Sequence, residues 1–339
     1  QVGADSDWEQ VASKEQEAYA IKTNGTLWAW GRNVNGSAGQ NNTVQYSSPV
    51  QVGALTTWSN LAPSPYSFSA MVKTDDTLWV CGVNNSGELG QNNTIKYSSP
   101  VQVGSDTNWA SAAGNYAACF AIKTDGTLWS WGTNSNGELG QNNGISLSSP
   151  VQIGSDTDWL IVNAKNRSVS AIKTTGTLWM WGYNHRGQLG QNNIISYSSP
   201  VQVGALTTWL QVNTAYHTFA IKTDGTLWAW GQNDLPGFGY RGPLGDGTII
   251  SRSSPVQIGS DTNWKKAVPG SQCSAAVKTD GTLWWWGWND GIPSFNYWQS
   301  PLNQKDIDYS SPVQVGSETN WDTVSLGDYY GFATVKSTT

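Results

Sequence analysis

Histidine, methionine and cysteine are what this sequence is shortest of. Two histidines, His185 and His217, stand in 339 residues, in different parts of the chain. Three cysteines, Cys81, Cys119 and Cys273, are far apart and odd in number, which suits small buried side chains better than a disulfide framework or a zinc site. No phosphate loop and no nucleophile elbow is present. These absences leave catalysis few groups to work with, so neither enzyme activity, nor a metal, nor a cofactor is expected. Charge is also scarce, at 12% of residues and a net of −6, with no block of one sign. Nucleic acid needs clustered Lys and Arg to displace counterions, and an anionic membrane surface needs a basic patch, so both are excluded as partners. No run approaches the ~20 apolar residues of a membrane span, so membrane insertion is not expected. The chain opens on Gln1 rather than Met; a removed leader or a processed piece accounts for that, and a secreted or surface-displayed protein is the simpler reading.

Glycine (37) and tryptophan (21) are abundant instead, and they recur in register. Ser-Ser-Pro-Val-Gln occurs six times, with its proline at 49, 100, 150, 200, 255 and 312. Lys-Thr or Lys-Ser closes seven apolar runs, at Lys22, Lys73, Lys123, Lys173, Lys222, Lys278 and Lys336. Thr-Leu-Trp follows six of these, and a further tryptophan opens each of seven units, at Trp8, Trp58, Trp109, Trp159, Trp209, Trp264 and Trp321. The units are 1–53, 54–104, 105–154, 155–204, 205–259 and 260–316, with a partial unit at 317–339, all in one domain. An internal period of ~50 residues means a repeat architecture.

Each unit reads as four short strands: Trp-x-x-Val (Trp209–Val212), Phe-Ala-Ile-Lys (Phe219–Lys222), Thr-Leu-Trp-Ala-Trp-Gly (Thr226–Gly231) and Pro-Val-Gln-Val (Pro200–Val203). Thr223-Asp-Gly-Thr226 joins the second to the third, since Asp-Gly supplies the positive φ angles of a type I′ hairpin. Asp75-Asp76 in the second unit is a poorer turn. In the third strand Leu227 and Ala229 face one way, Trp228 and Trp230 the other. Both faces are apolar, so each sheet must lie between two others. Eighteen of the 21 tryptophans sit at repeat-locked positions, which assigns them to packing. Burying an indole removes roughly 150–250 Å² from water, about 4–6 kcal/mol gross. The proline, having no N–H, belongs at a strand start or a sheet edge. Stacked four-stranded sheets that need neighbours on both sides give an all-β propeller of antiparallel blades.

The run Asp125-Gly-Thr-Leu-Trp-x-Trp-Gly-x-Asn-x-x-Gly-x-Leu-Gly140, and its copy at Thr175–Gly190, resembles the repeat of the regulator-of-chromosome-condensation family. The signature covers units one to six, and the resemblance implies a seven-bladed propeller of four-stranded blades. Ala38 departs from it in unit one and Cys81 in unit two; in units five and six the Gly-x-Leu-Gly run reads as altered or absent. The family's histidine before the second strand survives at His217, in a structural role. The seventh unit lacks a third strand, and Gln1-Val2-Gly3 reads as a fourth-strand remnant, so the seventh blade is incomplete or closed by both termini. A fragmentary chain, a three-stranded blade and a strand supplied head-to-tail by a neighbouring molecule all account for it.

Two enlarged loops hold the candidate binding residues: Phe238, Tyr240 and Arg241 in unit five, and Phe295, Tyr297 and Trp298 in unit six. They follow the third strand of adjacent units, so they should meet on one face, and aromatics with arginine are the types enriched at recognition hot spots. Packing of these rings against each other is the alternative. The repeat lysines form either a cationic ring or solvated strand ends. The Gly-Gln-Asn-Asn runs at 90–93, 140–143 and 190–193 read as polar turns. Candidate N-glycosylation sequons stand at Asn35, Asn41, Asn84, Asn92 and Asn166, while that at Asn24 lies inside a tight turn. Together these features point to a non-enzymatic, extracellular or surface-displayed binding scaffold or structural subunit, with a protein or glycan partner or further copies of itself. The alternatives are an enzyme-inhibiting or guanine-nucleotide-exchange-like interaction module and, behind them, a glycan-active enzyme using Asp234 or Asp290.

Overall fold

A computed structural model describes residues 5, 7–14, 16–64, 68–234, 242–289, 302, 307–326 and 331–335. Every regular element in them is a strand. Blade one is β1 (Trp8–Lys14), β2 (Glu17–Lys22), β3 (Leu27–Gly31) and β4 (Tyr46–Gln51); blade two is β5 (Trp58–Pro63), β6 (Phe68–Lys73), β7 (Leu78–Gly82) and β8 (Tyr97–Gln102). Blade three is β9 (Trp109–Gly114), β10 (Ala118–Lys123), β11 (Leu128–Gly132) and β12 (Leu147–Gln152); blade four is β13 (Trp159–Lys165), β14 (Ser168–Lys173), β15 (Leu178–Gly182) and β16 (Tyr197–Gln202). Blade five is β17 (Trp209–Thr214), β18 (His217–Lys222), β19 (Leu227–Gly231) and β20 (Arg252–Gln257); blade six is β21 (Trp264–Pro269), β22 (Cys273–Lys278), β23 (Leu283–Gly287) and β24 (Tyr309–Gln314). Each is an antiparallel meander in chain order.

The seventh sector holds two strands, β25 (Trp321–Leu326) and β26 (Gly331–Val335). The first strands line the axis in sequence, and β25 touches both β21 and β1, which closes the ring. Among the described residues the expected seven four-stranded blades are therefore six, plus a two-stranded sheet. Gln1-Val2-Gly3 and Lys336 lie outside the described residues. The short sheet is also offset. Trp321 pairs with Val335, whereas the opening tryptophan of every full blade pairs with the repeat lysine. Register is firmly set only where both rows of side chains have somewhere to go, and no third strand among the described residues covers β26.

The core is a stack of blade-to-blade interfaces. Phe120, Ile122 and Leu128 of blade three pack against Trp159 and Trp181 of blade four. Ile172, Leu178 and Met180 meet Trp209 and Trp230 in the same way, as Ile221, Leu227 and Ala229 meet Trp264 and Trp286. Alternation in the third strand thus feeds two neighbouring interfaces, as the sequence pattern requires.

The Ser-Ser-Pro motif has a role that its own unit does not reveal. The proline is the fourth residue of the outer strand, at the sheet edge rather than the strand start. Between Val151 and Leu147 the outer strand bulges off its partner: these residues pair with Ser130 and Gly132, four positions against two. The bulge receives the preceding blade. Asn92, at φ 55°, donates its N–H to Ser148 O at 2.7 Å, and Asn142 and Asn192 do the same to Ser198 and Ser253. The glycines of Gly-x-Leu-Gly complete this clasp. A Cβ on Gly137 would lie 2.5 Å from Ser198 Cα, and one on Gly140 would lie 3.0 Å from Trp181 Nε1, both at positive φ. Gly140→Ala should lower the unfolding free energy by about 2–3 kcal/mol, combining left-handed strain with overpacking against the indole. Urea titration checks this.

Candidate functional site

Connections after first and third strands emerge on one face; the hairpins and blade-to-blade crossovers emerge on the other. The crossover face carries the repeat lysines, and it is not an open cationic ring. For the six lysines among the described residues, each Nζ lies over two indoles at the beginnings of its blade's first and third strands, from 3.6 Å above Trp79 and Trp228 to 5.2 Å above Trp209. Lys22, Lys123, Lys173 and Lys278 also pair with Asp5, Asp106, Asp156 and Asp261, at 2.6–2.9 Å. Those aspartates stand 17 residues before their lysines. They also stand three residues before their blade's opening tryptophan, a place that Leu55 and Leu206 take in blades two and five. Burial accordingly lowers the pKa of Lys73 and Lys222, with Asp75 and Asp224 pulling the other way.

The opposite face is built on buried asparagines. Asn84, Asn134 and Asn184 each accept an N–H from the leucine five residues on, at 2.9 Å, and donate to a backbone carbonyl of the same loop. Asn233 makes the same bond to Leu244 across 11 residues. The enlarged loop of unit five is therefore an insertion looped out of an intact clasp. Gly242-Pro243-Leu244-Gly245 is the Gly-x-Leu-Gly run, which the sequence reading took as altered; the Pro-Leu-Gly triplet was the signal for it. Gly247 stands in for the left-handed asparagine and donates to Ser310 O at 2.8 Å. Burial pushes the Asp246 carboxyl up, but bonds from Thr248 and Arg252 outweigh it and hold the pKa below the usual range.

The roots of the two enlarged loops come together. Pro243 O, on the returning limb of the first, accepts Trp286 Nε1 and Ser274 Oγ of blade six, both at 2.8 Å. The second loop leaves from Gly287, where a Cβ would sit 3.2 Å from Pro243 Cα. Asn289 N donates to Asp308 Oδ1 at its base. Phe238, Tyr240, Arg241, Phe295, Tyr297, Trp298 and Asp290 themselves lie outside the described residues. Beneath the roots, buried His217 faces Ser274 Oγ at 2.8 Å through Nε2. Ser274 gives its own proton to Pro243 O, so Nε2 carries the hydrogen and Nδ1 is a bare, buried acceptor. Burial, and next the charge of Lys165, push the imidazole pKa down to about 3. The ring is neutral and structural, as expected, and Asp234 has its Oδ1 on Ser251 Oγ at 2.6 Å.

Two of the sequon asparagines are buried: Asn84 is fully buried with its amide donating to Asn93 and Ile95, and Asn166 is 8% exposed. Asn41 and Asn92 use their backbone in the clasps, with outward side chains, and Asn35 is half-buried. Among the described residues no three His, Cys, Asp or Glu side chains group so as to hold a metal ion.

Comparison with known proteins agrees with this architecture. The family model described as "Regulator of chromosome condensation (RCC1) repeat" matches residues 125–164 and 175–221, and a second model of that description matches 214–235. Among solved structures, Prp20p from Saccharomyces cerevisiae superposes with a TM-score of 0.79 at 17% identity, over 96% of this chain and 82% of that one. Human WBSCR16 gives 0.81 at 16% identity, over 100% and 89%. At such identity the likeness concerns the fold. Blades three to five thus carry regulator of chromosome condensation repeats, and the six blades with their closing strand pair share the propeller fold of Prp20p and WBSCR16.

Proposed function

We propose that the protein is a non-enzymatic scaffold that binds a protein partner through the enlarged loops of blades five and six. One observation carries this reading: elsewhere the repeat positions are consumed by blade-to-blade packing, while here an insertion leaves an intact clasp and roots itself beside a second long loop. Prp20p is described as binding Gsp1p and histones, which supports a protein as the class of partner. The finer reading is a propeller displayed outside the cell, as a binding unit or a subunit of an assembly; its support is compositional.

Deleting residues 235–240 would leave Asn233-Asp234-Arg241-Gly242-Pro243-Leu244, the spacing of Asn184-His185-Arg186-Gly187-Gln188-Leu189 in blade four. The variant should fold with unchanged cooperativity and lose most of the partner recovered by cross-linking to the intact protein. Equal recovery by both forms would sink the loop assignment. Fractionation of the source organism, with antibody against the chain, tests the extracellular setting.

A further inference from the structure

A cavity of about 480 Å³ opens on the loop face across blades one to four, away from the enlarged loops. Arg32, Lys96 and Arg167 line it, together with Tyr116 and one carboxylate, Glu88. Arg32 follows β3 directly and is pinned by its N–H on Gln16 O at 2.8 Å. Arg167 stands in the turn between β13 and β14 at φ 65°, after Asn166 at φ 49°. That is a conformation of glycine or asparagine, and an arginine held there suggests a use for its side chain. Its guanidinium lies 5.3 Å from the Tyr116 ring, which fixes its direction. Glu88 is drawn to one of these cations, Lys96, but lies beneath the surface and leaves Arg32 and Arg167 to face the groove. It is 2% exposed, and its Oε2 accepts Ser86 N at 2.7 Å. Burial also raises its pKa. The other side chains with polar ends are neutral.

The contrast with the other face is sharp. There the lysines are covered by indoles and mostly paired with aspartates, so they offer a partner little. In a chain of net charge −6, cations free to meet a ligand gather in this groove. We propose that the groove is a second binding site, which takes an extended acidic peptide segment of a partner protein, its carboxylates meeting Arg32, Lys96 and Arg167. The inference rests on the scaffold reading and adds a site and a chemistry to it. A concave, open, polar groove suits a protruding segment better than a flat surface, and opposite charge gathered in a cleft speeds capture of such a segment.

The test is fluorescence anisotropy of a labelled hexaglutamate peptide with the intact protein. Binding should weaken markedly between low salt and about 0.15 M, where screening sets in over ~8 Å. Arg32→Ala and Arg167→Gly should each weaken it about tenfold, the scale of one charge-assisted contact. Arg167→Lys should keep most of it. Glycine suits φ 65°, so Arg167→Gly should unfold no earlier than the parent, which separates lost contact from lost fold. Absence of hexaglutamate binding, or binding by both variants as tight as the parent's, overturns the proposal. So does tighter, Arg32-dependent binding of a sulfated hexasaccharide or of an oligothymidylate. The 235–240 deletion should leave hexaglutamate binding intact. Loop-dependent capture of a partner without hexaglutamate binding would therefore end this inference alone.

Discussion

Trp181→Ala should cost about 3–5 kcal/mol of unfolding free energy, the range for removing a fully buried tryptophan. Trp181 closes the interface between blades three and four. Its ring meets Phe120 edge-on and Trp159 at a tilt, each at 6.4 Å. Its Nε1 donates to Glu138 O at 2.7 Å, inside the loop that clasps the next blade. Alanine would leave a cavity and strip that carbonyl of a partner. Gly140, whose backbone comes close enough only because it has no Cβ, would lose the indole and keep Ile153 as its neighbour.

The size of the effect should depend on position within the blade. Trp179→Ala in the same strand removes a half-buried ring whose Nε1 bonds only to Thr177 of its own turn, so about 1–2 kcal/mol is expected. Blade two already carries a natural version of the first change. Cys81 stands where the other blades have tryptophan, its Sγ directed at Ser37 O at 3.2 Å, the counterpart of Glu138 O. Ala38 in the facing loop is correspondingly smaller than leucine. Urea unfolding of the two tryptophan variants decides the point: equal losses would mean that the inter-blade row is no more important than the row facing the lysines.

Within-unit patterns were legible because strands alternate every two residues and hairpin turns demand particular residues. The tryptophan rows, the Asp-Gly hairpins and the doubly apolar third strand all follow from a single unit. What escaped is everything that joins one unit to the next. Gly-x-Leu-Gly, the left-handed asparagine and the Ser-Ser-Pro bulge are three parts of one contact. In the clasps of blades one to four their partners lie 56 to 66 residues apart, a little over one period, so the repeat itself conceals the pairing. The insertion in unit five also shifted a conserved-looking pattern out of phase with its neighbours, which hid Gly242–Gly245. The lysine pockets were readable in principle. Aspartate stands three residues before the opening tryptophan in four blades and leucine in two, a covariation with the crossover rather than with the lysine's own strand. The register of β25 on β26 was not readable. Sequence alone aligns Lys336 with the other lysines, whereas Val335 takes the place opposite Trp321 in a sheet with no third strand among the described residues. Aromatic enrichment singled out the two long loops, but it says nothing about how their roots meet. That depends on Pro243 O lying within reach of both Trp286 and Ser274.

Lowering the pH should unfold the protein through His217 before most carboxylates contribute. The imidazole has an ordinary pKa of about 6.5 in the unfolded chain, and about 3 in the fold. Between those values the unfolded state holds a proton that the native state refuses. Stability is therefore fully present above pH 6.5 and falls as the pH drops toward 3, by about 1.4 kcal/mol per unit well inside the window. From pH 7 to pH 4 the loss should be about 3 kcal/mol. Asp75, Asp125, Asp224 and Asp280, whose pKa values are lowered by bonds from the threonine two residues on, lose their contributions only as the pH approaches and passes the carboxylate range. Glu88, raised by burial, works in the opposite sense, and it does so equally with or without the histidine. His217→Phe isolates the term. Phenylalanine is what blade two carries at the same strand position, as Phe68, and it leaves Ser274 bonded to Pro243 O. At pH 7 the variant should be weaker by about 1 kcal/mol for the lost hydrogen bond. Its stability should then stay level from pH 7 to about pH 5, while the parent's falls, so that the two curves cross near pH 6. Parallel curves would mean that the imidazole can take up its proton in place, with water or a backbone carbonyl reaching Nδ1 beneath the loop roots.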